Sequence, residues 1–162
     1  MYQITPIMRG PIRKYELRRG AEYIGEFPTL AACEAMRDAS EAAGSDDFLR
    51  GYIEALYFTD TGDDEQPEAD AELSDDARAQ CVADCLEFQR REALPLAHAY
   101  AHHDGYDAAQ AGRDFWFTRN GHGVGFWDRG LGAVGDTLTT ACRTWPSLSA
   151  YAGDDGSIGI EG

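Results

Sequence analysis

The sequence predicts an α+β fold: an N-terminal ββα unit, then a helical middle, then a C-terminal region that contains a β-hairpin. Three observations carry this reading. Two short strand-like runs, residues 12–17 and 22–27, flank a turn at Arg18-Arg19-Gly20-Ala21, where glycine permits a tight reversal. Apolar residues then recur at helical spacing, first through Phe48, Leu49, Tyr52, Ile53, Leu56 and Tyr57, and again through Ala77, Cys81, Val82, Cys85, Leu86 and Phe88. Finally, FWFTRN-GHG-VGFWDR sets two aromatic runs about glycines 121, 123 and 125, the pattern of a hairpin tip that needs positive φ.

The elements follow in order. In the first unit Thr29, after Pro28, is placed as an N-cap for a helix through Leu30, Cys33, Met36 and Arg37, which Gly44 closes. The chain is therefore expected to divide into a small basic unit, residues 1–44, and an acidic α+β domain, residues 45–162. Ser45 or Asp46 caps the next helix, expected over residues 46–58. From Asp60 to Asp76 the chain holds nine acids and no base, and Gly62 and Pro67 interrupt any helix, so this stretch reads as a loop or extended linker. Ser74 caps a strong helix with acids in its first turn; Pro95 ends or kinks it, and LAHAYAHH continues to about His103, where Gly105 breaks the run. Residues 108–112 are expected to turn into the aromatic hairpin. A last helix over residues 135–143, capped by Asp136 or Thr137, precedes Tyr151 and a Gly-Asp-Asp-Gly turn.

Composition bounds the function. The 162 residues are 43% hydrophobic and 27% charged, enough apolar material for a packed core and against general disorder. Fourteen basic against 29 acidic residues give −15 at neutral pH. Such a balance speaks against nucleic-acid binding through a broad cationic surface, and against an anionic membrane surface. The exception is local: Arg9, Arg13, Lys14, Arg18 and Arg19 face only Glu16 and Glu22 in residues 1–24, the one possible nucleic-acid footprint. No run reaches the ~18 apolar residues of a membrane span, and the start of the chain has no apolar secretory core. A cytoplasmic protein whose four cysteines are thiols is expected.

Two constellations bear on chemistry. Cys81-x3-Cys85-x12-His98-x3-His102 satisfies the spacing of a two-cysteine, two-histidine zinc site. The cysteines, however, fall on a predicted helix rather than a hairpin, so the competing reading makes them small buried hydrophobes on its apolar stripe. His122, with Asp114, Arg119, Asp128 and Arg129 nearby in sequence, is an acid–base or ligand-grip candidate; against it stand turn glycines, core aromatics and cross-strand Asp–Arg pairs. No nucleophile with a positioned base, phosphate loop or His-Glu-x-x-His motif is present, so no catalytic residue and no cofactor are assigned. Phe115, Trp116, Phe117, Phe126 and Trp127 alternate as a half-buried sheet would, which favours packing over base stacking.

The stretch AGRDFWFTRNGHGVGFWDRGLGAVGD, with the VADCLEFQ helix before it and the Gly-Asp-Asp-Gly tail after it, resembles a segment of small acidic proteins encoded by bacteriophages and other mobile elements. The resemblance spans roughly residues 48–160 and leaves the basic unit outside. It implies a phage or mobile-element origin and carries over no catalytic residue. Together with the charge, it leads to the expectation of a non-enzymatic inhibitor of a host nucleic-acid-targeting defence complex, anti-CRISPR or anti-restriction. Its acidic surface would act as a DNA mimic or a steric block against a basic face of a host protein or ribonucleoprotein effector. The expected surface is Asp60, Asp63, Asp64, Glu65, Glu68, Asp70, Glu72, Asp75 and Asp76, with Glu41, Asp46, Asp47, Glu54, Asp84 and Glu87 on adjoining helices. The alternatives are a phage accessory protein whose acidity serves solubility, and a zinc-binding module on Cys81, Cys85, His98 and His102.

Overall fold

The structure, a computed structural model, describes residues 2–19, 22–34 and 47–162. It is α+β, with strands first and helices dominating after them. The chain separates into two compact units, Met1–Gly44 and Ser45–Gly162.

The first unit carries an antiparallel sheet in the order β1 (Tyr2–Arg9), β2 (Ile12–Arg19), β3 (Glu22–Phe27). The strand β1 lies outside the sequence expectation, and Pro6 is the reason it hides: proline within an apolar run argues against a central strand. Because β1 is an edge strand, Pro6 can pair with Tyr15 without needing a ladder N–H on both sides. The loop Gly10-Pro11 closes the hairpin, with Gly10 at φ 65° supplying the positive angle that such a loop requires. A register shift between Leu17 and Arg18 interrupts the β2–β3 ladder. Residues 30–34 are helical, and Thr29 caps them by accepting from the Ala32 N–H at 3.2 Å. Gly20, Ala21, Met36, Arg37, Gly44, Ser45 and Asp46, all assigned roles above, fall outside the described residues.

The second unit runs α1 (Asp47–Asp60), α2 (Asp75–Arg91), α3 (Ala93–His102), α4 (Ala108–Arg119), a 3-10 turn (Phe126–Asp128), α5 (Ala133–Cys142), β4 (Ser149–Ala152) and β5 (Ile158–Glu161). Ser74 caps α2 as its position implies, its Oγ accepting from the Ala77 N–H. The break before α3 comes at Glu92. Pro95 sits in the first turn of α3, where a missing N–H leaves no intrahelical bond unmade.

The segment expected as an aromatic hairpin is helical. Asp107 caps α4 by accepting from the Gln110 N–H at 2.8 Å, and the helix runs through Phe115-Trp116-Phe117. It stops at Gly121, which has φ 72°; the Gly121 N–H reaches Thr118 O at 3.4 Å and the His122 N–H reaches Phe117 O at 3.0 Å. That paired reach is a Schellman C-cap, so the glycine marks a helix stop and not a strand reversal. The periodicity failed because α4 is buried on nearly every side, leaving no polar face to set a 3.6-residue rhythm. The C-terminal hairpin exists elsewhere: β4 and β5 pair antiparallel across the Gly-Asp-Asp-Gly turn, Tyr151 opposite Gly159.

Around α4 the core assembles. Phe88 stacks on Phe115 with centroids 4.0 Å apart, Phe126 extends the stack, and Tyr52 meets Trp116 edge to face at 5.1 Å. Helices α1 and α4 cross with their backbones in contact, at Gly51 against Ala109 and Gly112 against Phe48. Two buried carboxylates tie the helices further. Asp84 of α2 pairs with Arg119 of α4 at 2.6 Å, and Arg119 also donates to Tyr52 Oη and Pro146 O. Asp114 accepts from Arg129, Gln110 and Tyr106.

Candidate functional site

The acidic run is anchored at both ends and along its length. It leaves α1 at Asp60 and enters α2 at Ser74, and between them the backbone makes repeated turns: Gly62 N–H to Pro67 O at 2.9 Å, Gln66 N–H to Asp63 O at 2.9 Å, and Ala71 N–H to Glu68 O at 3.1 Å. Pro67 is buried. Side chains of α1 hold the same segment, with the Tyr57 hydroxyl donating to Ala71 O at 2.8 Å and Gln66 Nε2 donating to Thr59 O at 3.1 Å. At its far end Leu73 forms a parallel bridge with Ile158. The Ile158 N–H donates to Glu72 O and the Ser74 N–H donates to Ile158 O. The run is thus stitched to β5 as a partial third strand: of the two forms expected, loop or extended linker, the chain takes the loop, and the loop is pinned.

Eight of its nine acids, Asp63, Asp64, Glu65, Glu68, Asp70, Glu72, Asp75 and Asp76, are exposed. None of the eight has an ion-pair partner among the described residues. Asp60 is different. Its Oδ2 accepts from the Ala150 N–H at 3.3 Å and its Oδ1 from the Thr59 hydroxyl at 2.6 Å, so it braces α1 against β4.

The helical acids enlisted by sequence do not join this surface. Asp47 pairs with Arg50 at 3.1 Å and Glu54 with Arg113 at 2.6 Å. Asp84 is buried against Arg119. Glu87 accepts from Arg90 and Arg91, which hold its carboxyl down at about 2. Glu41 and Asp46 lie outside the described residues. Of the acids enlisted by sequence, those left without an ion pair among the described residues belong to the run itself. Beside it the β4–β5 turn presents exposed Asp154 and Asp155, while Asp104, Asp136 and Glu161 are exposed without an ion pair among the described residues elsewhere in the unit. Asp155 Oδ1 accepts from Ser157 Oγ at 2.6 Å and from the Ser157 N–H at 3.0 Å, and these bonds hold its carboxyl below the ordinary range.

The basic cluster of the first unit is largely spoken for within its own sheet. Arg9 and Lys14 both pair with Glu26, and Arg18 with Glu16 at 2.5 Å. Arg13 is exposed with no ion-pair partner among the described residues, and the Arg19 side chain falls outside the description.

Neither chemical constellation assembles. Cys81 and Cys85 are buried on α2, while His98 and His102 are exposed on α3, stacked on each other at 4.2 Å. Among the described residues no three His, Cys, Asp or Glu side chains converge as a metal site would need. Burial pushes the Cys81 thiol up to about 12. Around His122 the expected neighbours are drawn away: Arg119 points into the core toward Asp84, and Asp114 toward Arg129, which itself lies 4.0 Å from Asp128. His122 instead packs edge-on against Phe117, with Nε2 3.9 Å from Asp60 Oδ1.

Sequence reasoning missed the part the β4–β5 hairpin plays. The Gly-Asp-Asp-Gly turn was visible, but its attachment to Leu73 rests on a pairing across more than eighty residues that no local pattern encodes. No helix among the described residues is long and apolar enough to cross a membrane. Comparison of the chain with protein-family models, curated proteins and solved structures finds no match.

Proposed function

We propose that this chain is a non-catalytic binding protein that presents the loop between α1 and α2 as a fixed anionic surface to a cationic, nucleic-acid-binding face of another protein. The observation that carries this reading is the contrast in how its acids are used. On helices α1 and α2, Asp47, Glu54, Asp84 and Glu87 are neutralised by arginines. By contrast the eight acids from Asp63 to Asp76, six in the loop and two in the first turn of α2, are exposed and without an ion pair among the described residues, on a segment whose backbone is hydrogen-bonded. A pinned array of carboxylates competes for the Lys/Arg groove that otherwise holds phosphates, and steers toward it in solution. Preorganisation matters because a loop already in place loses little conformational entropy on docking.

The resemblance of residues 48–160 to phage-encoded acidic proteins narrows the partner to a host nucleic-acid-targeting defence complex, a CRISPR effector or a restriction enzyme, inhibited by DNA mimicry or steric blocking. The test is inhibition of such complexes by the intact chain, with binding measured against salt. Affinity is expected to fall steeply as salt rises. Replacing Asp63, Asp64, Glu65 and Glu68 by lysine moves the net charge from −15 to −7 and is expected to abolish binding. A salt-independent affinity, or full activity in that variant, would overturn the reading.

A further inference from the structure

Between the first turns of α2 and the β4–β5 hairpin lies a half-open cleft of about 390 Å³, lined by Ser74, Asp76, Gln80, Tyr151, Asp155 and Ser157 among others. We propose that this cleft receives one arginine side chain of the protein partner. The proposal rests on the reading above and gives that surface a specific anchor.

The geometry of the walls carries it. Tyr151 lies across Gly159 on the paired strand: a Cβ at Gly159 would stand 2.2 Å from Tyr151 Cζ and 2.5 Å from its hydroxyl oxygen. The ring occupies the space a side chain would take, so the absence of one at Gly159 lays the phenol flat against the hairpin. The residue remains 46% exposed, a large aromatic that the core does not use. Beside the ring, Asp155 Oδ1 is fixed by both Ser157 donors, which leaves Oδ2 available. Gln80 donates its amide to Asp84 at 2.6 Å, and its own Oε1 is left as an acceptor. Asp76 adds a second exposed carboxylate, and the lining contains no cation.

Acceptors with a flat aromatic wall select a particular cation. A guanidinium is planar, stacks on a ring and forks to a carboxylate, whereas an ammonium makes point contacts and stays strongly hydrated. The start of α2 also borders the cleft, and its dipole alone would favour an anion. That dipole amounts to about half a positive charge, against the full charges of Asp76 and Asp155. The carboxylates win.

The experiment titrates the ¹⁵N-labelled full chain with Nα-acetyl-arginine amide and, in parallel, Nα-acetyl-lysine amide, following the amides of Gly153, Gly159 and the Gln80 side chain. Saturable shifts confined to these groups are expected with the arginine probe, and binding at least about fivefold weaker with lysine. Asp155→Asn and Tyr151→Ala should each weaken the arginine probe by about fivefold or more. Gly159→Ala leaves every charge in place while displacing the ring, and should erase the preference for arginine over lysine. Equal binding of the two probes to the unaltered chain, or unchanged arginine binding in Asp155→Asn, overturns the proposal. The exposed turn position of Asp155 keeps that variant informative if Tyr151→Ala fails to fold. Equal binding of the two probes to the unaltered chain, while the four-lysine loop variant still abolishes partner binding, refutes the cleft alone. Arginine binding that persists while the loop variant retains full activity refutes the loop reading alone.

Discussion

The backbone contact between α1 and α4 gives a sharp test of the core. Gly51→Ala would place its Cβ 1.9 Å from Ala109 O, and Gly112→Ala would place one 1.9 Å from Phe48 O. Ordinary contact begins near 3.4 Å, so the helices must part by about 1.5 Å, and neither obstacle is a side chain that can swing aside. In an exposed helix the same change would stabilise by about 1 kcal/mol, because glycine is a poor helix former. Here overpacking costs about 3 kcal/mol, the upper end of its usual range given backbone obstacles on both sides. The net expectation is about 2 kcal/mol of destabilisation for either variant. The two changes act on one seam, so the double variant should fall short of the sum, since a separation that admits one methyl makes room for the other. Urea unfolding followed by tryptophan fluorescence reads this directly, because Trp116, Trp127 and Trp145 all lie in the second unit. Neutral or stabilised single variants would refute the close crossing.

Other expectations concern the buried charges and thiols. Arg119→Met strands Asp84 without a cation in the core and should lose about 3–5 kcal/mol by chemical denaturation, while Asp84→Leu with Arg119→Met should lose much less than the two single losses combined. Burial raises the Asp114 carboxyl above its ordinary 3.8, despite the opposing pull of Arg129. The folded state therefore binds this proton more readily than the unfolded one, and the contribution of Asp114 to stability declines as pH rises from about 3.8 through the folded value. Asp114→Asn removes that decline, so the stability of the native chain relative to the variant should fall as pH is raised above about 3.8; a flat or rising difference would contradict it. All four cysteines are buried, and burial raises the Cys81 and Cys142 thiols, so a thiol reagent at about pH 8 should label the native chain only at the rate of opening and all four sites rapidly in denaturant.

Which elements could be read in advance follows from how many of their faces meet water. Helix α1 shows its apolar stripe because Glu54 and Phe58 are exposed on one side while Phe48, Tyr52 and Leu56 are buried on the other. Helix α2 adds a serine cap to the same signal. In α4 Asp114 and Arg119 are buried along with Phe115, Trp116 and Phe117, so polarity ceases to mark the surface, and the aromatic run imitates a strand. Its real signature was at the ends, Asp107 as cap and Gly121 as stop, twelve helical residues apart. For the loop, Gly62 and Pro67 correctly forbid a helix. They say nothing of whether the chain is anchored, since that depends on Tyr57 and Ile158, residues outside the run.

The unpaired loop has a consequence for stability as well as for binding. Two like charges about 6 Å apart repel by about 0.7 kcal/mol in water. A free linker relieves such repulsion by spreading, but this loop is fastened to α1 and β5, and its carboxylates stay together. The fold therefore retains a strain that a few surface arginines would have cancelled, as they do for Glu54 and Glu87. Salt shortens the reach of these charges to about 8–10 Å at physiological strength and about 3 Å at 1 M. The second unit should accordingly become more stable as sodium chloride is raised at neutral pH, seen as a rising urea midpoint. The variant with lysine at positions 63, 64, 65 and 68 should respond less, because its loop mixes both signs. If the native chain shows no salt response, or the variant shows the larger one, its carboxylates are not crowded in solution, and the electrostatic basis for a fixed anionic surface is gone.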